Sequence, residues 1–483
     1  MKLFISFPHT PVEQNRTQVC FKDTFHMQIR NRTQLIENAE TPLVRKARGI
    51  AIRSLECALN AADPKQLVHS KVKLKNSCLH VEDYTFDLAK FKHVFVVGGG
   101  KAGGAMAEAI EEILDARITC GVVNVPCGTK RQTRVEEHNE ASHPVPDKAG
   151  LEGTRRMIAI AEQAEADDLV VCLLSGGGSS LMPLPRESIS LEDKQSVTKA
   201  LLKSGAAITE INVVRKHLSA FKGGWLAKKA YPATVINLVL SDVVGDPLDS
   251  IASGPTVPDP STFSDGKKVL EKYGLWLTAP ISVRRIFLEG SEGLLEETLK
   301  AGNSAFRNVH NVVIGNNRTA SLAAAGYLKS EGLKTIHFDE PLEGEARQTG
   351  TALAKFASKV SAYDFSLPKP LAVVAGGETT VTVTGKGQGG RNQELALAAA
   401  LNLKDAETCV IASLSTDGVD GPTDAAGAIV DGYTLKRAMR IKLDSEKFLA
   451  ENDSHNFFSQ LGDLIVTGAT GTNVNDISVI VVL

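Results

Sequence analysis

Short continuous apolar runs recur along this chain, each followed by a turn rich in Gly, Ser or Asp and then by a stretch with apolar residues at helical spacing. His93-Val94-Phe95-Val96-Val97 leads into Gly98-Gly99-Gly100. From Ala102 onward Met106, Ala109, Ile110, Ile113 and Leu114 share one helical face, with Glu108, Glu111 and Glu112 on the other. Leu169 to Leu174 leads in the same way into Ser175-Gly176-Gly177-Gly178-Ser179-Ser180. Further strands read as Cys120 to Val125, Val235 to Leu240, Val312 to Gly315, Leu371 to Ala375, Val410 to Leu414 and Val479 to Val482. Runs of this kind, buried on both faces and interleaved with helices, predict an α/β fold of mostly parallel sheets with helices on both sides. Ligands of such sheets sit at the carboxyl ends of the strands, where this chain concentrates its glycines and acids.

With 483 residues, two or three domains are expected. The Pro-containing turn at 255–260 and the polar stretch Ser291 to Lys300 separate two blocks of strand-turn-helix units. The expected division is a loosely ordered extension at 1–40, a Rossmann-like domain at 41–305 and a smaller α/β domain at 306–483. A net charge of −2 and 5% aromatic residues give no reason to expect nucleic acid or an anionic membrane as partner. No run approaches the roughly 20 apolar residues of a membrane-spanning helix. The seven cysteines are scattered without a CxxC pair, which points to a reducing compartment. Residues 1–35 carry five Lys/Arg against two acids but lack the Ser richness of a mitochondrial leader. The cytoplasm is the expected compartment, with the mitochondrion as the alternative.

Three glycine-rich turns could carry chemistry. Gly98-Gly99-Gly100-Lys101-Ala102-Gly103 formally satisfies the dinucleotide pattern G-x-G-x-x-G. The next strand, Cys120 to Val125, ends without the acid that would hold ribose hydroxyls. The turn instead carries Lys101 at a helix N-terminus, a place suited to a phosphoryl group or a carboxylate. Ser175, Gly176, Gly177, Gly178 and Ser179 fit a backbone cradle for phosphate, although no Walker sequence occurs in the chain. The third turn runs from Gly385 through Gly389 and Gly390 to Arg391 and Asn392, and places a planar, permanently charged fork at the start of a helix. A tight turn or a helix cap is the plain alternative for each.

Acids complete the set. Asp242 and Asp246 follow one strand, Glu378 another, and Asp417, Asp420 and Asp424 a third. Mg²⁺ serving ATP chemistry needs one or two such carboxylates, and Asp242, Glu378 and Asp417 are the candidates. Asn212 to Leu218 brings Arg215, Lys216 and His217 together on a helix, with Lys216 a candidate ligand for substrate or nucleotide. His143 reads as a turn residue.

Taken together, the segments VVGGGKAGGAMAEAIEE, SHPVPDKAGL, LLSGGGSSLMPLP, EINVVRKHLSAFKGGWLA, LVLSDVVGDPLDSIASGPTVPDP, VVAGGETTVTVTGKGQGGRNQELALAAAL, STDGVDGPTDAAGAIVD and TGATGTNVND resemble the MOFRL-domain glycerate kinases that phosphorylate the 2-hydroxyl. The resemblance covers most of residues 45–483, in order. It implies two α/β domains with the active site in the cleft between them, and ATP and Mg²⁺ converting glycerate to 2-phosphoglycerate. It also implies catalytic roles for Lys101 and Arg391. Two other readings stand beside it, an NAD(P)-dependent hydroxypyruvate reductase and a non-catalytic metabolite-binding protein. At helix N-termini a cation is mildly unfavourable, so loss of either charge is expected to spare the fold and slow turnover.

Overall fold

The computed structural model describes residues 26–362, 369–403 and 406–483. A small antiparallel ribbon comes first: β1 (Val72–Lys75), β2 (Cys78–Val81) and β3 (Tyr84–Asp87). The first large sheet contains β4 (Val94–Gly99), β5 (Cys120–Pro126), β6 (Glu136–Ala141), β7 (Leu169–Ser175), β8 (Thr234–Leu240) and β9 (Val309–Gly315). It is parallel throughout, in the order β6-β5-β4-β7-β8-β9 of a doubly wound sheet. Alternate residues of β4, β5, β7, β8 and β9 feed different cores, while the edge strand β6 is polar. Val94 and Val96 pack with the helix Gly103–Leu114, whereas Phe95 and Val97 pack with the helix Lys148–Gln163. Both faces are therefore covered, which is why these strands read as unbroken apolar runs.

The second sheet contains β10 (Lys334–His337), β11 (Leu371–Gly377), β12 (Cys409–Ser415), β13 (Gly427–Asp431), β14 (Leu464–Ile465) and β15 (Asp476–Val482). Its order is β10-β11-β15-β12-β13-β14. Only β10 and β11 run parallel here, and the other pairs are antiparallel. The expectation of a mostly parallel sheet holds for the first sheet and not for this one. An apolar run buried on both faces looks the same in either direction, and the last strand enters the middle of the sheet between β11 and β12.

The sheets also partition the chain differently from the expected boundaries at 40 and 305. β9, beyond 305, is the edge strand of the first sheet. The helix Pro42–Ala61 packs against β12 and β15 of the second sheet and against the helix Asn317–Ser330. Residues 26–40, expected to be loosely ordered, include the helix Arg32–Glu37 and dock on the edge of the second sheet. Ile29 and Leu35 are buried, and Arg30 and Asn31 hydrogen-bond the backbone of Val466 and Leu464. The segment 1–25 lies outside the described residues. One apolar cluster runs from the first sheet through these helices to the second. Among the described residues no helix is long and apolar enough to cross a membrane.

A buried four-charge network ties the N-terminal helices to the second sheet. Arg48 donates to Asp431 at 2.6 Å, to Asp463 at 2.8 Å and to the Leu35 carbonyl at 2.8 Å. Arg437 reaches the same two carboxylates at 3.0 and 2.6 Å. Burial works against the charge on Arg48, but Asp463 and Asp431 outweigh it and hold the guanidinium above its usual range. Two cations facing two carboxylates make the burial tolerable, and removing one leaves charge uncompensated. Arg48→Met is therefore expected to destabilise the protein by about 3–5 kcal/mol. A thermal melt would show this directly, and an unchanged midpoint would mean that the network does not anchor the fold.

Candidate active site

The turns that follow β4 and β7 lie at the point where the strand order of the first sheet reverses. They bond to each other: the Lys101 amide donates to the Gly176 carbonyl at 2.8 Å, and the Ala102 amide donates to Ser175 Oγ at 3.0 Å. The glycines let these backbones meet. A Cβ on Gly98 would lie 2.1 Å from the Leu173 carbonyl oxygen, and one on Gly100 would lie 2.0 Å from Ser175 Oγ. On Gly176 it would lie 2.0 Å from the Asp242 carboxylate, and on Gly178 it would lie 2.9 Å from Ala252. Gly177 has φ +81°, the left-handed region, and its α-carbon faces the His143 ring and the stem of Lys101. Ser179 hydrogen-bonds Ser253 at 2.8 Å.

Opposite these turns stands one end of the second sheet. Because β15 runs antiparallel to its neighbours, its first residue, Asp476, pairs with Gly377 at the end of β11 and Ser415 at the end of β12. Glu378, Asp417 and Asp476 therefore arrive at the same edge. Lys101 crosses from the first sheet and donates from Nζ to Asp417 at 3.0 Å. The other oxygen of Asp417 is held by Ser415 Oγ at 2.8 Å and the Val419 amide at 3.1 Å. Asp242, two residues beyond β8, lies half-buried beside this pair. Burial pushes its carboxyl up to about 6, against the pull of Lys101 and with the push of Glu378 and Asp417. Asn473, from the loop before β15, donates to it at 3.3 Å.

Arg391 opens the helix Arg391–Asn402 and forks onto Asp476 at 2.6 and 2.9 Å, with a third contact to Glu378 at 2.7 Å. Burial pushes the Asp476 carboxyl up to about 7, against the pull of Arg391. Removing the Arg391 charge would leave that buried carboxyl without its partner. The expectation that such a change spares the fold therefore fails for Arg391.

The three candidate metal carboxylates, Asp242, Glu378 and Asp417, thus converge with Lys101 and Arg391. Among the described residues no group of three or more His, Cys, Asp or Glu is already arranged as a metal cage. Other expected ligands are employed elsewhere. The amide of Asn392 and that of Gln393 both point at the Asp420 carboxylate, at 3.0 and 2.9 Å, so the protein fills this helix N-terminus with its own anion. A Cβ on Gly389 would lie 2.2 Å from Ser454 Oγ and one on Gly390 2.3 Å from the Asp420 carboxyl carbon, so packing alone accounts for these two glycines. Lys216 is buried and paired with Asp249 at 3.1 Å and Asp259 at 3.4 Å.

His143, read from the sequence as a turn residue, belongs to the site. Its ring packs on Gly177, and that packing, followed by Lys101, holds its pKa below the usual value. Asp476 and Asn473 were also missed. Their signal, NVND before the last apolar run, has meaning only once that strand is known to run antiparallel.

Comparison with known proteins agrees with this architecture. Residues 50–288 match a domain of unknown function, DUF4147, and residues 371–476 match the MOFRL family. The chain is 44% identical over 436 residues to a glycerate 2-kinase of Pyrococcus horikoshii, covering 90% of this chain and 97% of that protein. It is 47% identical over 385 residues to a D-glycerate 2-kinase of Thermotoga maritima, covering 80% and 89%. A putative hydroxypyruvate reductase of Agrobacterium vitis is 40% identical over 442 residues, covering 90% and 94%. The crystal structure of the Thermotoga maritima glycerate kinase superposes with a TM-score of 0.79 at 43% identity, covering 90% of this chain and 99% of that one. The order of the sheets, the glycine turns and this similarity along nearly the whole length lead to one conclusion: the chain belongs to the glycerate kinase family, MOFRL domain included.

Proposed function

We propose that the protein transfers the terminal phosphoryl group of ATP to the 2-hydroxyl of D-glycerate, giving 2-phosphoglycerate, in the cytoplasm. The observation that carries this reading is the junction of the two sheets. Lys101 at the end of β4 meets Asp417 at the end of β12, with Asp242, Glu378 and His143 around them. Phosphoryl transfer asks the protein for positioning and for charge stabilisation. Lys101 supplies a mobile cation beside the turns after β4 and β7, partly exposed and able to leave Asp417 for a phosphate. No three acids are placed as a cage among the described residues, but Mg²⁺ is held by one or two carboxylates together with phosphates and water, and Asp242, Glu378 or Asp417 would supply those oxygens. Bound there, it would neutralise charge on the nucleotide's phosphates. His143, held neutral at neutral pH, is able to accept the proton of the attacking hydroxyl. Arg391 orients Asp476 and Glu378 at the sheet edge and reaches the reacting groups through them.

The hydroxypyruvate reductase reading rests on the names of some relatives. A nicotinamide nucleotide would need an acid at the end of β5 for its ribose, and that strand ends at Pro126, followed by Cys127 and Gly128. An assay coupling ADP release to glycerate, with nicotinamide absorbance followed in parallel, is expected to show ADP formation that depends on Mg²⁺ and no change in NAD(P)H. Glycerate-dependent NAD(P)⁺ reduction without ADP would refute the kinase reading.

Two substitutions separate the roles of the basic residues. Lys101→Met is expected to melt close to the wild type and to lose about 10²-fold or more in kcat, as for a removed transition-state donor. Arg391→Gln is expected to lose activity and also about 3–5 kcal/mol of stability, because Asp476 stays buried without its partner. Near-normal turnover in Lys101→Met would place that lysine in the scaffold.

A further inference from the structure

A small cavity of about 30 Å³ lies between the turn after β7, the segment following His143 and the helix Leu191–Lys203. Its walls include Pro144, Ser179, Ser180, Lys194, Arg215 and Lys222. Three cations thus face one cavity, and no carboxylate lines it. Lys194 and Lys222 are buried, and each donates one hydrogen bond to a backbone carbonyl, to Pro183 at 3.0 Å and Met182 at 2.9 Å. Arg215, on the helix Ile208–His217, has neither a hydrogen bond nor an ion pair among the described residues. Its neighbour Lys216 points elsewhere and is satisfied by Asp249 and Asp259.

Elsewhere in this protein buried cations meet carboxylates, as Arg48 and Arg437 do. Gathering three without a counter-charge is costly, and burial accordingly depresses all three. Lys194 is lowered to about 7, by burial first and then by Arg215. An oxyanion in the cavity would reverse this penalty, with Arg215 presenting a planar fork and the lysines spare ammonium protons.

We infer that this cavity is an oxyanion subsite and that it takes the carboxylate of the hydroxy-acid substrate. The identification of that ligand rests on the kinase reading given above. Size favours a carboxylate, since a water-sized atom takes up about 10–15 Å³ on this scale and a nucleoside cannot enter. Position favours it as well. Ser180 of the cavity wall donates to the Gly177 carbonyl at 3.0 Å, and Gly177 touches both His143 and Lys101. The cavity and the Lys101 site therefore share a wall, as anchoring one end of a short acid while its hydroxyl reacts would require. The three cations are set apart from Lys101 and Arg391: they bind the group that does not react.

The test is titration calorimetry of the full chain, without turnover, using glycerate, its uncharged amide and inorganic phosphate. Arg215→Gln is expected to weaken glycerate about ten- to a hundredfold, to abolish the preference for the acid over its amide, and to leave phosphate binding unchanged. Lys194→Gln is the second variant and should act in the same direction. Both should melt no lower than the wild type, because like-charge repulsion is relieved. Glycerate binding equal to the wild type in both variants would overturn the proposal. A loss confined to phosphate would assign the cations to a phosphoryl group and overturn the carboxylate assignment. Absence of ADP formation in the separate coupled assay would sink the kinase reading alone, because the calorimetry measures anion binding to the pocket without any turnover.

Discussion

Lys101 carries its ammonium from the end of one sheet to the end of the other, and the Asp417 carboxylate that receives it is itself held by Ser415 and Val419. This single contact joins the two halves of the site. It is possible only because the turns after β4 and β7 lie close enough to bond each other through their backbones, which their glycines permit. It also needs the second sheet to present its acids at the facing edge. The antiparallel register of β15 supplies that edge by bringing Asp476 level with the ends of β11 and β12. Displacing either feature would leave the carboxylates of one sheet without the cation of the other.

Charge compensation explains which basic residues serve the fold and which remain for ligands. Arg48 and Arg437 close a buried network with Asp431 and Asp463. Lys216 is used by Asp249 and Asp259, and the start of the helix Arg391–Asn402 is used by Asp420. Arg391 is largely committed to Asp476, so it combines a structural duty with its place at the site edge. Lys101 is paired but partly exposed, which lets it exchange partners. Lys194, Arg215 and Lys222 share a cavity with no acid in its wall.

The similarity to glycerate kinases runs through both sheets, and the apolar cluster that joins them does too. The helices Pro42–Ala61 and Asn317–Ser330 pack together against the second sheet, and Asn317–Ser330 also touches β9 of the first.

Local pattern was enough to determine the parallel sheet, its glycine turns and the acids at its strand ends, because a strand buried on both faces must be apolar and the turn beyond it must be small. Lys101 and the acids Asp242, Asp246, Glu378, Asp417, Asp420 and Asp424 could be placed at strand ends for the same reason, but spacing alone did not choose among the acids. The direction of β15, and with it the place of Asp476 and Asn473, was decided by tertiary structure, since an apolar run carries no sign of its neighbours' orientation. So was the membership of β9 and of the helix Pro42–Ala61, which depends on contacts hundreds of residues apart. The glycines at 389 and 390 are demanded by Ser454 and Asp420, whose approach no spacing reveals. In the run Arg215-Lys216-His217 the sequence shows three adjacent basic residues. Only the fold, by placing Asp249 and Asp259 against Lys216 and nothing acidic against Arg215, decides that one is a structural ion pair and the other is free to meet a ligand.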